Sequence, residues 1–139
     1  GRLVSGDLDA SALYPPKRFF GSGRKVEEGG SLTVIATLAS ETQSKVDELV
    51  LNELQGGSTM ELHLSSEAVE AQLFPGINVR KTATKNIESL YSTEEQSQNS
   101  KLREEIKKSS TESDRLAELK YVLNKISDTE DNAQLLRNL

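Results

Sequence analysis

Chemically capable side chains are few in this sequence, and their spacing excludes the common kinds of side-chain catalysis. The one histidine, His63, stands in residues 60–64, where apolar and polar residues alternate as in a half-buried strand, so we predict a structural or exposed histidine. Ser5, Ser65 and Ser66 are not matched with a histidine base, which excludes a serine-hydrolase triad. The sequence also lacks a Gly-x-x-x-x-Gly-Lys-Ser/Thr loop for nucleotide phosphates.

Carboxylates near the start of the chain are the groups that could bind a metal ion. Asp7 and Asp9 lie in a glycine-containing loop, but two loop carboxylates without a third ligand make a weak cation site and are typical of turns. The sequence has no cysteine, which excludes disulfides and thiolate-bound metals. We therefore predict no metal site in this chain.

Basic side chains are the remaining candidates, because they can hold phosphate groups. The net charge of −5 argues against general binding of polyanions. Residues 26–79 contain nine acidic residues and a single basic one, Lys45, whereas residues 1–25 and 80–108 carry a basic excess. Any contact with a nucleic acid is therefore expected to be local and made by a few placed cations. Taken alone, Lys45 is typical of a solvated lysine in the first turn of a helix.

Hydrophobic periodicity predicts an α/β arrangement for the elements that must position these groups. Residues 1–30 contain several Gly and Pro residues and are predicted to be loop-rich. Residues 32–37 form a continuous β-rich apolar run, as expected of a strand buried in a parallel sheet. A helix over residues 46–54, a half-buried strand over residues 60–64 and a short helix over residues 66–72 follow.

Helical patterns occupy the last third of the chain. Between residues 93 and 108 only Leu102 and Ile106 are strongly apolar, which predicts a largely solvated helix. An apolar stripe over residues 116–126 predicts an amphipathic helix, and residues 135–139 suggest a short last one. The aromatic fraction of 4% and the apolar fraction of 35% are low for an independent domain.

One stretch, residues 15–37 (PPKRFFGSGRKVEEGGSLTVIAT), carries the most specific signal. Its adjacent pair Phe19-Phe20 could stack on bases, but packing beside a strand is the preferred interpretation. The order of these features resembles the second half of the motor domain of the Rho family, which are ring-shaped bacterial transcription terminators. Further matching segments occur in the same order and at the same distances, namely residues 1–10, 45–49, 60–64 and 74–77.

The resemblance implies a fold and an RNA-binding role. Residues 1–90 would form a partial RecA-like parallel sheet with flanking helices, and residues 91–139 a helical C-terminal extension. Two loops, residues 2–9 and 41–45, would line the channel of a hexameric ring and grip the RNA backbone without reading bases. The RNA-binding residues so implied are Arg2, Gly6, Asp7, Thr42, Gln43, Ser44 and Lys45.

The resemblance also implies cofactors and partners. ATP and Mg²⁺ would be bound by the full-length protein, whose phosphate-binding loop is expected upstream of Gly1. The chain alone should therefore bind neither and should be inactive. The partners implied are RNA, identical subunits in a ring, and RNA polymerase. No apolar run reaches the ~18 residues of a membrane span, and we expect a cytoplasmic protein without a membrane partner.

Two departures from the family pattern fall in the RNA loops. Paired glycines are usual where this chain has Gly6 and Asp7, and the Asp7 carboxylate would repel phosphate. A glycine is also usual where Gln43 stands, which makes the second loop stiffer and bulkier here.

Further departures concern catalysis and packing. The arginine finger that ring ATPases insert into a neighbour's site aligns with Lys85, and a second arginine aligns with Gln72. Lysine keeps the charge but loses the two-pronged donor geometry, for which Arg80 or Lys81 could compensate. The aromatic residue expected near Ser100 is missing, which weakens the packing of that helix.

Three hypotheses follow. The first is the C-terminal part of a Rho-like hexameric RNA-dependent ATPase and translocase acting in transcription termination, with RNA-channel loops and the trans side of the ATP site. The alternative is a non-catalytic RNA- or subunit-binding module derived from such a motor, and the third is a plain protein-interaction domain. A piece of parallel sheet without its neighbours exposes an apolar edge, so the isolated chain should be marginally stable.

Overall fold

The computed structural model describes residues 3–5, 8–110, 114 and 116–139. The chain divides into two compact units, Gly1–Ser58 and Thr59–Leu139. About half of the residues are helical, and both sheets within the described residues are two-stranded and antiparallel. Along the same residues no helix is both long enough and apolar enough to cross a membrane.

The first unit begins with a small hairpin and contains two α-helices. Strand β1 (Leu3–Ser5) pairs antiparallel with β2 (Leu8–Asp9), and a 3₁₀ turn (Ala10–Leu13) leads into α1 (Tyr14–Phe20). The prediction that residues 1–30 are loop-rich did not include these elements. The two prolines occupy the first turn of α1, where a missing N–H leaves no hydrogen bond unmade.

The adjacent phenylalanines of α1 do not share one environment. Phe20 is half-buried, and its ring lies against Gly57 just after α2 (Lys45–Gln55). Phe19 is largely exposed, so the prediction of packing for both rings is wrong for Phe19. The helix predicted over residues 46–54 is confirmed, with Leu54 as its buried residue.

The predicted buried strand at residues 32–37 is also wrong for this chain. The segment has no regular secondary structure, and Ile35 is 90% exposed. A central strand of a parallel sheet needs hydrogen-bonding neighbours on both sides. In the described residues one backbone bond reaches the start of the run, from the N–H of Leu32 to the carbonyl of Arg24 at 3.0 Å, and no strand pairs with the run, so most of it lies open. The parallel sheet expected from the resemblance is therefore not formed within the described part of the chain.

The second unit begins with a short antiparallel pair. Strand β3 (Met60–Glu61) pairs with β4 (Ala83–Thr84), and an isolated bridge joins Leu64 to Ile77. The alternation predicted over residues 60–64 is present, but its faces are reversed: the apolar side chains are exposed and the polar ones half-buried.

A short helix, α3 (Ser66–Glu70), packs tightly against the turn that follows it. Ser65 caps α3 by accepting a hydrogen bond from the N–H of Ala68. The N–H of Ser65 donates to the carbonyl of Gly76 at 2.9 Å. A Cβ on Gly76 would lie 2.8 Å from Val69 Cγ2, so this close approach requires glycine.

Three helices form the end of the second unit. Helix α4 (Thr93–Ser109) starts at a capping box made by Ser92 and Glu95, and it buries only Ile106, as predicted for a largely solvated helix. Helix α5 (Ala117–Ser127) carries the predicted apolar stripe and buries Leu119. Helix α6 (Asn132–Arg137) is the predicted last helix. The buried apolar core of this unit is small, which agrees with the low aromatic content.

Candidate functional site

The segment that leads into α2 holds four of the predicted RNA-binding residues. Ser44 is the N-cap of α2, and its hydroxyl accepts a hydrogen bond from the N–H of Asp47 at 3.3 Å. Thr42 donates its hydroxyl proton to Asp47 Oδ2 at 2.6 Å, and its Oγ1 accepts from the N–H of Ser44 at 3.3 Å. The Thr42 and Ser44 hydroxyls thus fix the backbone, so neither can grip a ligand without loosening the start of α2.

The same segment has a backbone that favours glycine. Glu41 and Gln43 adopt φ angles of 60° and 62°, in the left-handed region where a side chain costs ~1 kcal/mol. Gln43 is the position at which the family pattern has a glycine. The turn therefore has a glycine-type conformation at a residue that carries a side chain.

Lys45 is the cation of this loop. It is the first residue of α2, exposed to solvent, and it makes no ion pair with any described residue. Two carboxylates, Asp47 and Glu48, occupy the same first helical turn. They suit the positive end of the helix dipole but reduce the positive potential around Lys45. The arrangement can hold one phosphate through a single cation, not a polyanion across a basic face.

The other predicted RNA loop is only partly described. Arg2, Gly6 and Asp7 lie outside the described residues, between or before the strands β1 and β2. Asp9 ends the hairpin and accepts hydrogen bonds from the N–H and the hydroxyl of Ser11, at 2.9 and 2.8 Å. These bonds lower the pKa of the Asp9 carboxyl. Asp9 therefore performs turn chemistry, as predicted.

Lys85, the position of the arginine finger, follows β4 directly. Its N–H donates to the carbonyl of Thr59 at 2.9 Å, which anchors the backbone to the start of β3. Its ammonium lies 3.8 Å from Glu61 Oε1, and about half of the side chain is exposed. An ion pair of this length and exposure is weak, so the ammonium can exchange Glu61 for another anion.

Glu61 also contacts the one histidine. His63 Nε2 lies 3.4 Å from Glu61 Oε2, and both side chains are half-buried. The backbone of His63 donates to Thr82 Oγ1 at 3.1 Å and accepts from the N–H of Asn78 at 2.8 Å. The structural role predicted for His63 is consistent with these contacts. No group of three metal-ligating side chains that could hold an ion occurs in the described parts of the chain.

Gln72, the position of the second arginine, ends α3. It is exposed and has a φ of 56°, and its N–H donates to the carbonyl of Val69 at 3.0 Å. This is the left-handed residue that closes a helix C-terminus. In the described structure no hydrogen bond joins Gln72 to Lys85, so these two candidate residues are not brought together by a direct bond.

Arg80 is committed to a contact within the second unit. Its Nε donates to Glu118 Oε1 at 3.1 Å, its Nη2 binds the same carboxylate, and Nη2 also donates to Ser110 Oγ at 2.8 Å. The carboxylate raises the pKa of Arg80, chiefly through these hydrogen bonds. Glu118 is almost buried, with a side chain 10% exposed. Arg80 is therefore unsuited to compensate for a missing finger, since reaching out would leave Glu118 buried without its partner.

A second arginine holds the same segment from another helix. Arg103 of α4 donates from Nη1 to the carbonyl of Val79 at 3.0 Å and from Nη2 to that of Thr82 at 3.4 Å. Sequence reasoning missed both Arg103 and Glu118. Arg103 has the sequence pattern of an ordinary solvated residue on a polar helix. The one sequence feature that sets Glu118 apart is that it precedes the apolar Leu119.

Comparison with known proteins identifies the chain. No family model matches it. It is 44% identical over 136 residues to the transcription termination factor Rho of Micrococcus luteus, a match that covers 98% of this chain. The Rho proteins of Neisseria gonorrhoeae and Escherichia coli are 50% identical over 90 residues and 48% identical over 95 residues, covering 65% and 68% of the chain. The chain belongs to the Rho family.

The matches cover only part of each Rho protein. The chain spans about a fifth of the length of the curated relatives, with 19% of the Micrococcus luteus protein and 23% of the Escherichia coli protein aligned. The resemblance noted from the motifs is confirmed, and the chain corresponds to the C-terminal part of Rho.

Proposed function

We propose that this chain is the C-terminal part of a Rho-type RNA-dependent ATPase and translocase that acts in transcription termination. The supporting observation is the 44% identity over 98% of the chain to a transcription termination factor. In this proposal the full-length protein forms a hexameric ring, binds ATP and Mg²⁺ through residues outside the present sequence, and acts on RNA and RNA polymerase. The chain adopts the C-terminal half of a RecA-like fold within that assembly.

The loop at the start of α2 supplies the RNA contact in this proposal. The exposed ammonium of Lys45 and the glycine-type turn at Gln43 support it, because a single mobile cation on a fixed loop holds phosphate without reading base identity. A grip by one cation per subunit is weak and releasable, which translocation requires. Arg2, Gly6 and Asp7 are proposed to complete the RNA surface from the first loop.

Lys85 supplies the trans cation in this proposal. An ammonium that is half exposed and only loosely paired with Glu61 can turn to the phosphate of a nucleotide held by a neighbouring subunit. Lysine presents a point charge rather than the two-pronged guanidinium, so turnover is expected to be slower than with arginine. Gln72 carries no charge and cannot replace the second arginine.

The alternative, a non-catalytic RNA- or subunit-binding module, is favoured by one observation. Glu61 partly neutralises Lys85, the position of the finger, and Arg80 is held by Glu118. In a module of this kind the ion pair at Lys85 would be structural, and ATP turnover would be absent.

The test is RNA-stimulated ATP hydrolysis by the full-length gene product, compared among the parent, Lys85→Arg and Lys85→Ala. We expect Lys85→Arg to raise kcat and Lys85→Ala to lower it by ~10³-fold, as for loss of a finger. Lys101→Ala, an exposed lysine on α4, is the matched control and should leave kcat unchanged. Background activity in the parent and in Lys85→Arg would contradict the motor proposal and leave the binding module.

A further inference from the structure

We propose that Glu118 and Arg103, on the two tail helices α5 and α4, are positioning residues that hold the segment leading into Lys85 in place. The inference rests on the proposed function of Lys85 as the trans cation. In this inference the two tail helices influence the ATP site indirectly, because Glu118 and Arg103 act through Lys85 and do not contact the nucleotide.

The segment over residues 78–82 has little structure of its own. Its internal bonds are a turn, in which the N–H of Thr82 donates to the carbonyl of Asn78 at 3.0 Å and the N–H of Lys81 donates to Asn78 Oδ1 at 3.0 Å. Strand β4 follows at once and Lys85 comes directly after it. Any movement of the turn is therefore passed to Lys85 along three residues of nearly extended backbone.

Arg103 holds this turn from α4. Its guanidinium reaches two carbonyls, those of Val79 and Thr82, which lie at either end of the turn. Because the donors of a guanidinium form a rigid planar fork, two such bonds fix the direction of the turn as well as its distance from α4.

Glu118 holds the same turn from α5. Its carboxylate binds both Nε and Nη2 of Arg80, and the hydroxyl of Ser110 binds Nη2 as well. The almost buried carboxylate is the fixed member of the pair, while the arginine side chain is 66% exposed. The turn is therefore tied to the start of α5 through Arg80 and to the middle of α4 through Arg103.

The opposite edge of the segment is held by the small sheet. Thr82 Oγ1 accepts from the N–H of His63, and the backbone of Lys85 donates to Thr59. These contacts fix where the strand runs. The two tail contacts add the constraint on the other side, so Lys85 is positioned between the sheet and the tail. A shift of the tail helices changes the position of Lys85 and, with it, turnover.

The test uses the full-length protein with Glu118→Gln and Arg103→Gln, each alone and combined with Lys85→Ala. Glu118→Gln keeps the size of the side chain, so it leaves no cavity, but it removes the charge and replaces one acceptor oxygen by an amide donor, which weakens the contact with Arg80. In the parent background we expect each substitution to lower kcat about tenfold while KM for ATP changes less than about twofold, because a misplaced cation acts on the transition state. In the Lys85→Ala background neither should lower kcat further.

The matched control is Glu104→Gln, an exposed carboxylate on α4, which should leave kcat at the parent level. Glu118→Asp should recover part of the loss. An equal loss in the parent and Lys85→Ala backgrounds would overturn the positioning role and show that Glu118 and Arg103 only stabilise the fold. The proposed function itself would be overturned by either of two results: a parent protein without ATPase activity, or a parent kcat that Lys85→Ala does not change.

Hydrogen exchange tests the positioning independently of activity. The amides of Lys81, Thr82 and Lys85 are all hydrogen-bonded, so their exchange reports the order of the segment. We expect exchange at these amides to rise about tenfold in Glu118→Gln and in Arg103→Gln, and to stay at the parent rate in Glu104→Gln. Unchanged exchange in the first two variants would overturn the inference whatever the ATPase assay gives.

Discussion

The two candidate cations of this chain, Lys45 and Lys85, are positioned in different ways. Lys45 is placed by bonds among its sequence neighbours, since the hydrogen bonds that join Thr42, Ser44 and Asp47 connect residues no more than five positions apart. Lys85 is placed by contacts that join residues 19 to 38 positions apart, from the sheet on one side and the tail helices on the other.

The difference bears on what each cation can do. A cation on a locally capped loop keeps its geometry when the rest of the molecule moves, which suits repeated grip and release of a backbone. A cation held by distant elements changes its position when those elements shift. The second arrangement allows a catalytic group to respond to the state of the assembly, whereas the first makes a contact that is the same in every state.

The largest effect should come from Ile106→Ala, which removes a buried side chain of α4. We expect a loss of about 2–4 kcal/mol in the free energy of unfolding, because the cavity left beside α5 cannot fully collapse. Denaturant unfolding measures this loss, with Lys101→Ala on the same helix as control. Exchange should rise at the amides of Thr82 and Lys85 but not at those of Asp47 and Glu48. An equal rise in both places would contradict the contrast between the two regions.

A smaller loss of stability, confined to the region of Lys45, is expected from Ser44→Ala. Loss of the N-cap should cost about 1 kcal/mol of helix stability and speed exchange at the Asp47 and Glu48 amides, since Asp47 then lacks its partner. The amides of Thr82 and Lys85 should be unaffected. Ser44→Asp, which retains a capping oxygen, is the control and should keep the parent exchange rates. Faster RNA release in Ser44→Ala without any change in exchange would show that the hydroxyl binds ligand rather than the helix.

The smallest expected effect is a loss of stability at acid pH in the contact between the tail helices α4 and α5. Tyr121 of α5 donates its hydroxyl to Glu105 of α4, and this bond lowers the pKa of Glu105. A group whose pKa is lowered by folding stabilises the fold fully above its ordinary pKa, about 4.3 for glutamate, and the stabilisation is lost as the pH falls through the lowered value. Stability of the second unit should therefore decline in this acid window.

The measurement is the denaturant midpoint between about pH 6 and about pH 3. Glu105→Gln should show a shallower decline than the parent, and Glu104→Gln should match the parent. Identical pH slopes for all three proteins would mean that the contact between α4 and α5 does not depend on Glu105.

The locally determined elements could be predicted from the sequence, and the long-range ones could not. The helix that carries Lys45 follows from the apolar spacing of its residues and from the glycines that end it. Arg103 and Glu118 gave no such signal, because a polar residue on an amphipathic helix has the same pattern whether it faces water or a distant carbonyl.

The errors have a related cause. The run over residues 32–37 was predicted as a buried strand from composition, but strand formation depends on partners that the described residues do not contain. The prolines of α1 were interpreted as breakers, although the first helical turn tolerates them. Family membership, by contrast, could be inferred from motif order alone, because several short segments matched at the right distances.

The exposed run that includes Ile35 has a consequence for how the protein is handled in a cell. Short apolar β-rich segments that lie open are the features that holdase chaperones bind and from which aggregation starts. A copy in which this run stays uncovered would be removed by proteolysis or captured before it accumulates. Only copies in which a partner surface covers these few residues would then survive. The amount of available partner, rather than the rate of synthesis, would set the amount of protein that accumulates.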